Sequence, residues 1–347
     1  MAEFDTSVYF STHNRSKMPF QIYLGGRGCG KTFSTLDSYI VDENGDLRDP
    51  ELGKFIYVRE LAKEIKISTD ETANPFKKIN AKRPYHIYPE YSERTEIATF
   101  YREDLNNSRV AVGYGVALST FANLRGVDFT DANNIVYDEF IKQRGTRKLK
   151  NAGSSLLHLY ETVNRNRELE GEEPVIMKML ANSVTLNSDI LLAMNAVSTI
   201  AHMMTKHQRK ATLRERSLYI ELIDAAEFRA LKSQTALYKL TKGSKFSDEA
   251  LDNIFVDDDM SFVKKVQLNE YTPFCSFGKD YSMFQHKSRY DWYIAAIETK
   301  SPIMLTQFQQ DFLKSRYKLI YQEMSITRRI SYDSYGTKLV FDALMGI

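Results

Sequence analysis

Eight consecutive residues, Gly25-Gly26-Arg27-Gly28-Cys29-Gly30-Lys31-Thr32, have the types and spacing to hold a chain of phosphates. They satisfy G-x-x-x-x-G-K-[ST] at every fixed position, after an apolar run and ahead of a helix-like one. Glycines let successive backbone N–H groups turn inward around phosphate oxygens, and a helix start adds partial positive charge. Lys31 can then reach the β- and γ-phosphates of ATP, and the Thr32 hydroxyl can ligate Mg²⁺. A chance match in a chain of this length has odds on the order of one in a hundred at ordinary composition.

Carboxylates come next. Ile135-Val136-Tyr137-Asp138-Glu139 is an apolar run ending in two acids. Alone it is an ordinary solvated strand end; downstream of a phosphate loop it gains a meaning. Asp138 would share the Mg²⁺ with Thr32, and Glu139 would take a proton from the attacking water. That pair favours ATP hydrolysis over GTPase switching, and no N-K-x-D guanine motif is present. Asn182, in Ala181-Asn182-Ser183, can sense the γ-phosphate or simply mark a turn. Arg165 and Arg167 can steady charge on a neighbour's phosphate, or lie on a solvated helix face with Glu161 and Glu168. Arg125, in Leu124-Arg125-Gly126, has the same two readings. Lys142, Arg144, Arg147, Lys148 and Lys150 follow Glu139 with no acid between them. They form either an exposed charged loop or a sequence-indifferent grip on nucleic-acid phosphates.

These residues need strands and helices to position them. Phe20 to Leu24, Phe55 to Val58, Glu96 to Arg102, Arg109 to Leu118, Asn134 to Tyr137 and Val175 to Leu180 are strand-like. Lys31 to Val41 and Leu156 to Leu169 are helix-like. Strands alternating with helices indicate an α/β fold with a mainly parallel sheet. This ATPase domain is expected over residues 1–201. Residues 202–232, basic from His202 to Arg216 and amphipathic from Tyr219, are expected to be a helical linker. Residues 233–347, with an acidic stretch from Asp248 to Asp259 and then an aromatic, strand-like part, are expected to form a small α+β domain.

Composition narrows the classes further. The chain has 347 residues, 47 Lys plus Arg and 45 Asp plus Glu, hence 47 − 45 = +2. With 43% apolar and 27% charged residues it is an ordinary globular chain, and any nucleic-acid surface must be local. Two cysteines, Cys29 and Cys275, imply no disulfide framework and a reducing compartment. No apolar run approaches the roughly 20 residues of a membrane span, and the acidic N-terminus lacks a signal core.

Five segments together carry a resemblance. Gly25 to Ser34, Phe55-Ile56-Tyr57-Val58-Arg59, Ile135 to Ile141, Asn164-Arg165-Asn166-Arg167-Glu168 and Leu180-Ala181-Asn182-Ser183-Val184 resemble the DNA-packaging ATPases of small protein-primed tailed phages. That is the phi-twenty-nine-like group of terminase-type motors. Asp138-Glu139-Phe140-Ile141 and Arg165-Asn166-Arg167-Glu168 are the more specific matches. Glu60 after Arg59, where such proteins tend to be basic, and the order Ala-Asn-Ser around Asn182 are departures. The resemblance implies an ASCE-class ATPase, with an added strand and a catalytic Glu, in a homomeric ring, a pentamer in this group. Such a ring drives double-stranded DNA through a portal vertex into a procapsid in the host cytoplasm, in some members with a scaffold RNA. It also implies that Arg165 is an arginine finger acting in trans, that Arg125 lies near a second trans-acting basic residue, and that the C-terminal domain is a degenerate RNase H-like nuclease. Another ASCE translocase or helicase-like ATPase, a non-hydrolysing nucleotide-binding scaffold and a small-molecule kinase are the competing classes. The paired acids weigh against the last two.

Overall fold

The computed structural model describes residues 10–12, 15–103, 109–124, 126–142, 146, 148–182, 185–244, 247, 260–277, 281–300, 303–305, 318–319 and 321–345. Arg125, Arg144, Arg147, Ser183, Val184, Asp280 and the acidic residues between Asp248 and Asp259 lie outside them. The chain divides into two compact units, residues 1–194 with 206–257, and residues 195–205 with 258–347.

The first unit is built on a nine-stranded sheet. Its strands are β1 (Phe20–Leu24), β2 (Lys54–Arg59), β3 (His86–Ser92), β4 (Ile97–Glu103), β5 (Arg109–Ala117), β6 (Ala132–Asp138), β7 (Ile176–Ala181), β8 (Lys210–Leu213) and β9 (Leu218–Leu222). Their order is β3-β4-β5-β2-β6-β7-β1-β9-β8. The six strands from β5 to β9 in that order are parallel to their neighbours, and β3, β4 and β8 close the edges antiparallel. Phe55, Ile56, Tyr57 and Val58 are all buried, as a parallel strand covered on both faces requires. Phe55, Phe76 and Phe100 meet with ring centroids 5.4–5.6 Å apart at the heart of this core.

Helices α1 (Lys31–Ile40), α2 (Ala62–Ser68), α3 (Lys77–Asn80), α4 (Ala152–Asn164) and α5 (Asp189–Ala193) lie between the strands, with α6 (Val197–Thr205) before β8. The helix α4 stops short of Leu169 because Arg165 turns left-handed, at φ 45°. Arg165 and Arg167 therefore do not stand on one helix face. β7 lies between β1 and β6, so an added strand separates the phosphate-loop strand from the acidic one.

The segment 202–232 is not a helical linker. Leu218 to Leu222 pairs along β1, from Phe20 opposite Leu218 to Leu24 opposite Leu222, and β8 pairs back on it. Only then do α7 (Ala226–Ser233) and α8 (Ala236–Leu240) follow. The basic residues that hid the strands sit where charge is harmless. Lys210 is exposed on the edge strand, Arg214 and Arg216 are exposed in the turn, and every residue of β9 is buried.

The second unit holds a five-stranded mixed sheet. β10 (Tyr271–Phe277), β11 (Tyr281–His286) and β12 (Trp292–Ala295) run antiparallel. β13 (Ile303–Leu305) and β14 (Ile330–Tyr332) lie parallel to β10 and β12 on the two edges. Helix α9 (Tyr335–Met345) packs on α6 and covers a core of Trp292, Ile294, Tyr321, Tyr332 and Phe341. An α+β unit thus stands in the C-terminal part, but it takes in α6 and leaves α7 and α8 to the first unit. Among the described residues no helix is long and apolar enough to cross a membrane.

Candidate active site

Parallel strands deliver their last residues to one edge of a sheet, which is where ligands of open α/β sheets bind. Here β1, β2, β6 and β7 end at Leu24, Arg59, Asp138 and Ala181. The loop from Gly25 is pinned to that edge by its amide, which donates to the Ala181 carbonyl at 3.2 Å. Gly30 caps α1 at φ 91°, a conformation that a side chain would strain, and Lys31 begins the helix.

Lys31 is buried. Its Nζ donates to the carbonyls of Gly25 and Gly26, both at 2.9 Å, and to Asn182 Oδ1 at 3.2 Å. Burial lowers its pKa, and Cys29 and Asp138 work against that shift. An ammonium held on carbonyl oxygens is poised to exchange them for the stronger acceptors of a phosphate. Thr32 Oγ1 lies 3.1 Å from both Oδ1 and Oδ2 of Asp138. Burial raises the Asp138 pKa, Arg59 opposes the rise and Glu139 adds to it. Thr32 and Asp138 are hard oxygen donors facing one another, and Asp138 carries a charge that burial disfavours. That arrangement suits a small divalent cation such as Mg²⁺.

Glu139 projects from the turn that follows β6, with φ 55° and a half-exposed side chain. Arg59 meets it at 2.6 Å and also reaches Glu64 at 3.4 Å and Asp138 at 3.8 Å. The register explains the contact. Val58 of β2 lies opposite Tyr137 of β6, so Arg59 comes level with Asp138 at the shared edge, and Glu139 is the next residue on. Glu64, on α2, is shared with Lys142 at 2.6 Å, and Lys142 lies 4.0 Å from the buried Glu60. Glu60 also accepts the amide of Leu149. Lys142 is therefore an internal anchor of its segment, only 8% exposed, whereas Lys148 and Lys150 face solvent.

The arginines separate. Arg167 donates to the carbonyls of Thr130 at 2.6 Å and Ala132 at 2.9 Å, tying down the start of β6. Arg165 is half-exposed and 3.7 Å from Asp128. Both stand at the N-terminal end of β6, and Glu139 stands beyond the other end. Seven residues of strand make that about 20 Å, too far for Arg165 to meet its own Glu139.

A family model of podovirus DNA encapsidation proteins (Gp16) matches residues 4–325. The chain belongs to this family. The DNA packaging protein of Bacillus phage phi29 is 26% identical over 243 residues, covering 70% of this chain and 64% of that protein. The match thus spans just under two thirds of that Gp16 relative's length. Among solved structures, the Phi-28 gp11 DNA packaging motor aligns with a TM-score of 0.61 at 16% identity, over 96% of both chains. The bacteriophage Phi-29 viral genome packaging motor assembly aligns with a TM-score of 0.59 at 18% identity, over 95% of both. The α/β fold with its large, mainly parallel sheet is shared with both.

In this Gp16 chain the structure brings together Gly25 to Thr32, Asp138, Glu139 and Asn182, and keeps Arg165 apart. Sequence analysis missed the hold of Arg59 on Glu139 and the link from Glu64 to Lys142. The visible signal for the first was a charged residue ending a fully apolar strand, Phe55-Ile56-Tyr57-Val58-Arg59.

Proposed function

We propose that this chain is the ATPase of a viral genome-packaging motor, a homomeric ring that moves double-stranded DNA into a procapsid at the expense of ATP. The observation that carries the reading is the Lys31–Asn182 and Thr32–Asp138 contacts at one sheet edge, with Glu139 next to them. Membership of the encapsidation family and the packaging role named for its phi29 relative support the assignment.

In this mechanism the backbone of residues 25–32 binds the phosphate chain. Lys31 leaves the carbonyls of Gly25 and Gly26 for phosphate oxygens. Thr32 and Asp138 hold Mg²⁺, which when bound offsets negative charge on the phosphates. Glu139 accepts a proton from the attacking water. Arg59 holds one oxygen of that carboxylate, and loosening this ion pair would make Glu139 a stronger base. Asn182 is placed to report the state of the γ-phosphate through Lys31. Arg165 serves a neighbouring subunit's phosphate, and Arg125 is assigned a second trans-acting role by the family resemblance alone. The ring, its pentameric number, the portal vertex and a scaffold RNA belong to the same proposal, as does a site of action on the procapsid in the host cytoplasm.

The test is ATP turnover by the full chain with and without double-stranded DNA, with ring assembly followed in parallel. Lys31→Ala should abolish nucleotide binding. Glu139→Gln should bind Mg·ATP and turn over about 10²–10⁴-fold more slowly. Nucleotide affinity unchanged by Lys31→Ala, or turnover within a few-fold of wild type for Glu139→Gln, would sink these roles.

A further inference from the structure

A second lysine stands over the phosphate loop from a segment that sequence analysis assigned to a linker. Lys232, in the last turn of α7, donates to the carbonyl of Arg27. Lys31 holds the carbonyls of Gly25 and Gly26, so the two ammonium groups cover three consecutive carbonyls of one short loop. The stem of Lys232 is steered there by aromatic rings. Its Nζ lies 5.4 Å from the centre of Phe228, one turn earlier on α7, and 5.0 Å from that of Tyr238. Phe228 also walls the loop at Gly28, where a Cβ would meet its ring at 3.4 Å and Lys232 Nζ at 3.8 Å.

Among the described residues no carboxylate pairs with Lys232. Two like charges, one of them buried, are thus directed at one short loop. An anion seated between them would relieve the repulsion and take charge-assisted hydrogen bonds from both. The position along the phosphate chain follows from the carbonyls. The start of α1 holds one part of the chain, whereas the Lys31 side chain reaches back to Gly25 and Gly26, the end at which such a lysine meets the terminal phosphates. Lys232 sits at that same end, one carbonyl further along.

We propose that Lys232 is a second phosphate-binding cation of this site, taking the terminal phosphate of a nucleoside triphosphate alongside Lys31. The inference rests on the nucleotide-binding reading and adds to it. Gain of that contact frees the Arg27 carbonyl, so the Lys232 ammonium exchanges one partner for the other when a triphosphate enters.

The experiment is equilibrium binding of ADP and of a non-hydrolysable ATP analogue, each with Mg²⁺, to the full chain and to Lys232→Ala, Lys232→Gln and Lys232→Arg. Thermal melting checks that each variant is folded. Lys232→Ala and Lys232→Gln should weaken the triphosphate analogue about tenfold or more and ADP at most a few-fold, and Lys232→Arg should restore most of the difference. Equal weakening of both nucleotides would mean that Lys232 only braces the loop, and would overturn the inference. No weakening of either would do the same. Failure of the wild-type chain to bind either nucleotide would instead remove the nucleotide-binding reading beneath it.

Discussion

The two sheets use their polar residues in opposite ways. In the first unit, parallel strands bring charges of both signs to one edge, and several of these are held by partners they can exchange. Lys31 rests on carbonyls, Thr32 on Asp138, and Arg59 on Glu139. In the second unit, polar groups are spent internally. Ser276 and Ser282 face each other across β10 and β11 and donate to the carbonyls of Thr299 and Ile297. Tyr321 bonds with Tyr332 and donates to Asp342 at 2.9 Å, with Lys338 on the other oxygen of Asp342. A hydroxyl sealed between a core and a carbonyl has nothing better to exchange for. A buried ammonium on a carbonyl does, as soon as a phosphate arrives. The difference teaches that burial alone does not mark a site; burial of a charge at the C-terminal edge of the sheet, on weak and replaceable partners, does.

The comparison breaks most visibly if the reactive edge proves complete within one subunit. Arg165 stands too far from its own Glu139 to act on it, so if it has the trans-acting role proposed above, hydrolysis should need a neighbour. An added guanidinium is worth about 10³–10⁵ in rate. Arg165→Ala and Glu139→Gln should each be nearly inactive alone. Mixing them should restore turnover wherever an intact Arg165 faces an intact Glu139. Mixed rings that form yet stay silent would place Arg165 in a structural role with Asp128.

A smaller effect probes the other side. Tyr321→Phe removes a buried hydroxyl with two partners and should cost about 1–3 kcal/mol of stability. Thermal unfolding of the full chain should shift down by several degrees, with ATP turnover per folded molecule unchanged at 25 °C. A loss of turnover without a loss of stability would show that the second unit's polar network takes part in the chemistry.

The smallest effect separates a misplaced charge from a working one within the first unit. Lys178 of β7 is buried, with its Nζ 5.1 Å from the Tyr39 ring centre. Burial, aided by Arg48, lowers its pKa from 10.5 to about 8. The unfolded chain then keeps a proton that the folded one has lost between those values, so stability should rise as pH increases across that window. Lys178→Met should flatten that slope and stabilise the protein by about 1–2 kcal/mol near neutral pH, once the lost ring contact is discounted. Destabilisation, or a slope that survives the substitution, would assign the buried charge a role that burial cost does not describe.

The sequence alone determined what is carried by adjacent residues. Gly25 to Thr32, Asp138-Glu139, Asn182 and the apolar strands that end on them are set by spacing along one chain, because a strand places its last residue at the sheet edge whatever lies elsewhere. The tertiary structure decided which groups those residues meet. Arg59 and Glu139 are 80 positions apart, and Lys232 and Arg27 are 205 apart. Such pairs are fixed by strand order and register, which no local pattern encodes. The same reason hid β8 and β9, whose exposed edge carries the charges that make the segment look like a linker. It also turned Lys142 from a candidate grip on DNA into a buried partner of Glu64, since the side chain's direction depends on α2 packing beside it.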